Sequence, residues 1–320
     1  MTDYIGGVAT MVVIEFVAIL AFSYFYYFKK YPPVYSDTAY VDCGQSIWIK
    51  KYPNANNWLL GWRIFCFLWF FCFAFVGNWI HRAAVQKKDP GYWFFTNWNL
   101  ILLGIYFGFA SVASWQFRSD SAGATHNSPL HKKFITCMGA MHDVAGANAI
   151  FVTVVALGIL DRSLSFWNLT NHLSNTLFMF VEMFLNSIKA CKHNYIWSII
   201  WAFVYVCFTW IIVYTKTRKV PYFFLNTVDK PASFGWYTGL LIVNGGFYAG
   251  WIYLNKWLKG KVNASANANV HAHAELKQSA GGEGDEVELV DVEAAVEVEA
   301  AAEQLQALTG EEDQAPTALM

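Results

Sequence analysis

The chain has 320 residues, of which 56% are hydrophobic and only 14% charged, where an average soluble domain carries about 25% charged residues. That deficit excludes an ordinary water-soluble globule, and a formal net charge of −1 gives no reason to expect a nucleic-acid partner. The charges are also unevenly placed: residues 263–320 hold more than half of the acids and a single lysine, Lys277, so a mildly basic apolar body precedes an acidic tail.

Crossing a hydrocarbon core of about 30 Å takes about 20 helical residues. Seven apolar stretches are long enough, near residues 5–28, 58–80, 92–117, 134–160, 167–185, 195–214 and 234–257. Helices are expected, because backbone groups in lipid must be satisfied within the segment. The first stretch has no basic residue before it and Lys29-Lys30 after it, the flanks of an anchor rather than of a cleaved leader. The expected fold is therefore all-α, a polytopic membrane helix bundle of about seven transmembrane helices over residues 1–262. Residues 263–320, rich in Ala and Glu, have too little apolar bulk to fold alone and are expected to be disordered; the run over 287–308 suits a helix formed on a partner. Lys and Arg are more numerous on the side holding residues 29–51, 118–133, 189–192 and 256–261 than on the side holding 82–88, 162 and 216–230. The positive-inside rule then puts the tail in the cytosol, in the endoplasmic reticulum or plasma membrane.

Polar residues inside the spans, taken in chain order, are Glu15 in the first, Arg63 in the second, His142 and Asp143 in the fourth, and His172 and Glu182 in the fifth. Each costs a few kcal/mol at membrane depth on insertion scales and is a functional candidate by default. Glu15 is a candidate partner for Arg63, which is also near enough to one membrane face to snorkel. The third stretch opens "YWFFTNWNLILLG", with Thr96 and Asn99 on one face as the helix enters the membrane. It then carries a small-xxx-small step, Gly104 to Gly108. Gly139 and Gly146 follow in the fourth span, and Gly235, Gly239, Gly246 and Gly250 share a face of the last. Such faces serve intramolecular packing or a homodimer.

The fifth span, "WNLTNHLSNTLFMFVEMFLN", is the most informative. At about 100° per residue, Asn168, His172, Asn175, Met179, Glu182 and Asn186 form one stripe. A polar stripe against lipid is too costly, so it faces the bundle or a wet cavity. Thr96 and His172 start parallel spans at similar depth. A threonine hydroxyl needs a base within about 2.6–3.2 Å to act as a nucleophile, and histidine titrates near neutrality. Asn99 and Asn175, three residues from that pair, are candidate oxyanion donors, and Asp143 or His142 a candidate to orient the imidazole. The bland readings are a threonine bonded to its own backbone and a histidine that bonds a neighbouring helix.

Cys66, Cys72, Cys137 and Cys207 lie in spans and Cys43 and Cys191 in loops, which is no disulfide framework. Cys191 is juxtamembrane, either inert or open to palmitoylation. His271 to His273 is too short a metal signal, and no Gly-rich nucleotide loop or CxxC pair occurs. No metal or cofactor is expected.

"FFTNWNL" at 94–100, "HDVAGANAIFVTVVAL" at 142–157, "NHLSNTLFMFVEM" at 171–183 and "VPYFFLNT" at 220–227 carry a resemblance. Over roughly residues 58–255 the chain resembles the androgen-induced-protein and Rolling stone group of multi-pass membrane proteins. The androgen-induced branch implies an intramembrane threonine hydrolase acting on fatty acid esters of hydroxy fatty acids. On this chain the resemblance implies Thr96 as nucleophile and His172 as base, with Glu182 and Asp143 matching further positions. The extra first span and the acidic tail are nearer the Rolling stone layout, which implies a non-enzymatic role in cell adhesion, fusion or scaffolding. Membrane lipids, including lipid esters, are the expected partners.

Overall fold

The computed structural model describes residues 2–23, 44–48, 52, 54–77, 80, 94–119, 129–160, 166–212, 222 and 233–280. The chain divides into two units, Met1–Ala266 and Asn267–Met320; of the second, residues 267–280 are described, and they are helical. The described residues form seven α-helices and no strand. They are α1 (Thr2–Ser23), α2 (Ala55–Leu68), α3 (Phe95–Ser119), α4 (Pro129–Val155), α5 (Phe166–Leu185), α6 (Tyr195–Ile212) and α7 (Ser233–Ala280). A π-helical segment, Trp69–Gly77, prolongs α2, and a shorter one, Ala156–Leu160, prolongs α4.

Each expected apolar stretch coincides with one helix. Among the described residues, Phe95–Gln116, Lys133–Leu160 and Lys192–Ile211 are long and apolar enough to cross a membrane. Helix α7 differs at its far end. It runs on through residues 263–280, which the composition assigns to the tail, because Ala and Leu there favour the helix already begun. Residues 281–320 lie outside the described part.

Helices α3 and α4 form the centre. Phe95 meets Phe151, Tyr106 meets His142 and Phe109 meets Phe134, at ring-centroid distances of 6.1, 5.8 and 5.6 Å, so the two helices run antiparallel. Helix α5 runs parallel to α3: Tyr106 bonds Glu182, and further along Ser114 and Leu185 both reach the segment 44–46. One core cluster is built on Leu103, Tyr106, Phe107, Met138, Met179 and Trp251. A second lies toward the start of α3, on Phe16, Phe95, Phe151, Val152, Tyr205 and Tyr237. The outer surface of the first unit is apolar as well: Ile242 is 70% exposed, Trp115 62% and Ile211 62%. In water such faces would mark an interaction site; lipid covers them at no cost.

Close packing through glycine is local. A methyl group on Gly146 would stand 2.3 Å from the Trp251 indole, so only glycine lets α4 and α7 meet there. Gly104 and Gly108 face Phe70 and Phe67 of the α2 segment. Intramolecular packing therefore accounts for these three. It does not account for Gly235, Gly239, Gly246 and Gly250, where an added methyl group would meet nothing within 4 Å. That face stands clear of the described bundle.

Candidate functional site

The first N–H groups of a helix have no intrahelical partner. At the start of α3 a tyrosine from outside the helix meets this need: the Phe95 N–H donates to Tyr222 Oη at 3.1 Å. The same hydroxyl is hydrogen-bonded with the Thr96 side chain and with Tyr205. Burial pushes the Tyr222 phenol up to about 12, so it is neutral and able to donate throughout the physiological range.

Thr96 is buried and lies in the wall of an apolar cavity of about 90 Å³ that is open at one mouth. Its wall is drawn from five helices: Phe16 of α1, Phe95 of α3, Phe151, Val152 and Val155 of α4, Val206 of α6, and Leu240 and Leu241 of α7 are the apolar part. Thr96, Tyr205, Tyr222, Tyr237 and Asn244 supply the polar atoms, and none of the described lining residues is ionised at neutral pH.

His172 is not in that wall. It is partly exposed, and its main-chain carbonyl accepts from the Thr153 hydroxyl, itself 2.9 Å from Thr176 Oγ1. The geometry of parallel helices explains the separation. Tyr106 and Glu182 touch across the α3–α5 seam. Ten residues earlier on each helix stand Thr96 and His172, both about 15 Å back along the axis, so their depths match as expected. Ten residues are also about 80° short of three full turns. Both helices turn in the same sense, so the two side chains leave the seam by opposite flanks.

Glu182 is fully buried, its Oε1 heavily engaged and its Oε2 without a hydrogen-bond partner among the described residues. Its Oε1 accepts from Arg63 Nε at 2.9 Å and Nη2 at 2.7 Å, from Tyr106 Oη at 2.8 Å and from Asn186 Nδ2 at 3.1 Å. Arg63 Nη1 donates in turn to the Ala110 carbonyl and Ser114 Oγ. So Arg63 neither snorkels nor pairs with Glu15, whose carboxylate accepts from Thr238 instead. The stripe of α5 faces inward as its periodicity demands: Asn175, Met179, Glu182 and Asn186 are all 0% exposed. The Asn168 side chain lies outside the described residues.

Asp143 does not orient His172. Its Oδ1 meets His142 Nδ1 at 3.0 Å, and its Oδ2 accepts from the Cys191 N–H and Asn194 Nδ2, both at 2.8 Å. It therefore ties α4 to the turn between α5 and α6. Asn255 and Tyr248 of α7 bind the same turn, and Lys259 Nζ donates to the Met183 and Asn186 carbonyls at the end of α5, where a cation is favoured by the helix dipole. Burial raises the Cys191 thiol above its ordinary pKa, with His193 Nδ1 3.3 Å from its sulfur. Among the described residues no group of three or more His, Cys, Asp and Glu is placed to hold a metal.

Asn99 and Asn175 are fully buried, and polar atoms of both lack partners. Asn148 and Asn244, buried and bonded to each other, were not singled out by the sequence; "NHLSNT" draws attention to α5, whereas one asparagine among the alanines of α4 does not. Tyr222 was legible only as part of "VPYFFLNT", without a role. No family model, curated protein or solved structure matches the chain.

Proposed function

We propose that the chain is a multi-pass integral membrane protein of seven spans, related to the androgen-induced-protein and Rolling stone group, and that it hydrolyses lipid esters with Thr96 as nucleophile. The observation that carries this reading is a threonine hydroxyl set in the wall of an open, largely apolar cavity. An acyl chain entering from the bilayer fills the space between Phe95, Phe151, Val152 and Val155, and its ester carbon meets Thr96 Oγ1. The Oγ1–carbon bond forms, the alcohol leaves with a proton, and water later splits the acyl-threonine to acid and free Thr96. Tyr222, bonded to Thr96, is placed to donate to the oxyanion. His172 holds the base role through the resemblance and its matching depth alone; its ring must cross from the other flank of the α3–α5 seam.

A second reading, a non-enzymatic membrane protein, is favoured by one observation: Glu182 and Asp143, two of the matched positions, are absorbed in hydrogen bonds that hold helices together. A fluorophosphonate probe separates the two. Labelling of the wild type that is lost in Thr96→Ala supports the hydrolase; labelling that persists in Thr96→Ala removes Thr96 as nucleophile, and no labelling in the wild type favours the second reading.

A further inference from the structure

We propose that Asn99, Asn148 and Asn175, from three adjacent helices, hold a buried water cluster beneath the Thr96 cavity, and that this cluster supplies the water that releases the acyl group. The supply role rests on the hydrolase reading; the cluster does not.

The three asparagines come within about one turn of each other in height. Across the antiparallel α3–α4 contact, Phe95 faces Phe151. Four residues on from Phe95 is Asn99, and three before Phe151 is Asn148, displacements of about 6 and 4.5 Å in the same direction. Across the parallel α3–α5 contact, Tyr106 bonds Glu182. Seven residues before each, Asn99 and Asn175 stand almost two full turns back, and so return to the seam at equal depth. All three side chains are 0% exposed. Asn244, in the cavity wall, joins the layer by donating from Nδ2 to Asn148 Oδ1 at 2.8 Å, and accepts from Ser198 Oγ. The layer thus lies directly under the cavity, one turn below Thr96.

Within it, four atoms have no hydrogen-bond partner among the described residues: Asn99 Nδ2, Asn99 Oδ1, Asn148 Nδ2 and Asn175 Oδ1. The second amide atom of Asn148 is committed to Asn244, and the Asn175 amide is oriented by its Nδ2–H on the Asn171 carbonyl. Two are donors and two acceptors. Buried polar atoms are almost always bonded, and this set restricts the occupant. A cation would confront the two N–H donors, an anion the two carbonyl oxygens, and an acyl chain would satisfy none. Water both donates and accepts. One buried water makes about three hydrogen bonds, so a pair suits these four atoms.

The chemical step follows. Water from the layer attacks the acyl carbon, its oxygen–carbon bond forms as the carbon–Oγ1 bond of Thr96 breaks, and one water proton restores the Thr96 hydroxyl. The products are a carboxylic acid and free threonine, with no further reactant.

The test uses the full chain in lipid nanodiscs and has two arms. Radiolytic hydroxyl-radical footprinting oxidises side chains next to bound internal water. Leu103 and Met179, both 0% exposed, lie one turn beyond Asn99 and Asn175. Both are expected to be oxidised in the wild type, and Met179 several-fold less in Asn99→Leu. Wild-type protection of both residues overturns the cluster. The second arm follows a p-nitrophenyl long-chain ester. Asn148→Leu is expected to keep a burst of one nitrophenol per protein, accumulate the acyl adduct on Thr96 by intact mass, and lose at least tenfold in steady-state turnover. Asn148→Ser, milder for folding, is expected to turn over between the two. Equal turnover in wild type and Asn148→Leu overturns the supply role. A wild type that forms no Thr96 adduct defeats the hydrolase reading itself, and with it the supply role, while footprinting still decides the cluster.

Discussion

Replacing Gly146 by alanine tests how α4 and α7 are held together. The added methyl would lie 2.3 Å from Trp251 Cε2 and Cζ2 and 2.7 Å from Cη2. Ordinary contacts begin near 3.4 Å, so the indole and the helix must part by about 1 Å. The indole has little room to yield: Trp251 is 0% exposed, with the His142 ring centroid 5.3 Å from its own and that of Phe180 6.4 Å away. Overpacking of this kind costs about 1–3 kcal/mol. At about 2–4 °C per kcal/mol for a chain of this size, a melting temperature lower by about 5 °C is expected. Gly246→Ala is the internal comparison. It sits on α7, the helix of Trp251, with nothing within 4 Å, and removing a helix-interior glycine stabilises by about 0.5–1 kcal/mol. The assay is thermal unfolding of purified protein in one detergent, followed by intrinsic tryptophan fluorescence. Equal shifts for the two variants, or a more stable Gly146→Ala, would refute the packing argument.

Glu182→Ala leaves Arg63 buried and unpaired and is expected to cost about 3–5 kcal/mol, whereas the double change Arg63→Met with Glu182→Leu recovers most of it; a double-mutant cycle in the same unfolding assay that shows no coupling would contradict the buried pair. Tyr222→Phe removes the acceptor for the Phe95 N–H, at about 1 kcal/mol. It also changes the alkaline limb. The folded phenol titrates at about 12, against an ordinary value of 10.0, so its contribution is complete below pH 10 and is lost as pH rises toward 12; unfolding from about pH 9 to 11.5 should show a shallower decline in Tyr222→Phe. Because burial raises the Cys191 thiol, less thiolate forms at about pH 8, and iodoacetamide should modify it several-fold more slowly in native protein than after denaturation, as peptide mass spectrometry would show. Asn263 opens an Asn-Ala-Ser glycosylation sequon; if the expected cytosolic placement of residues after 262 holds, it stays unglycosylated in mammalian cells, and a glycosidase-sensitive mass shift abolished by Asn263→Gln would reverse that orientation.

Much of this architecture is legible along single helices. Apolar runs mark all seven helices, three of which are long and apolar enough to cross a membrane among the described residues. The 100° repeat is enough to turn Asn175, Met179, Glu182 and Asn186 inward on α5, because that face is set by one helix alone. It also puts Thr96 and His172 at equal depth. Partner choice is another matter. Arg63 meets Glu182 rather than Glu15 because α2, α3 and α5 pack as a group. Thr96 and His172 diverge because equal depth does not fix the angle each helix presents to its neighbour. Asn99, Asn148 and Asn175 form a layer only once α3 is antiparallel to α4 and parallel to α5. The sequence alone therefore determined which segments are helical, where along its helix each polar residue sits and which way α5 faces. The relative rotation of the helices was decided by tertiary packing, since contacts such as the Trp251 indole in the Gly146 notch depend on atoms far apart in the chain, which no local period records.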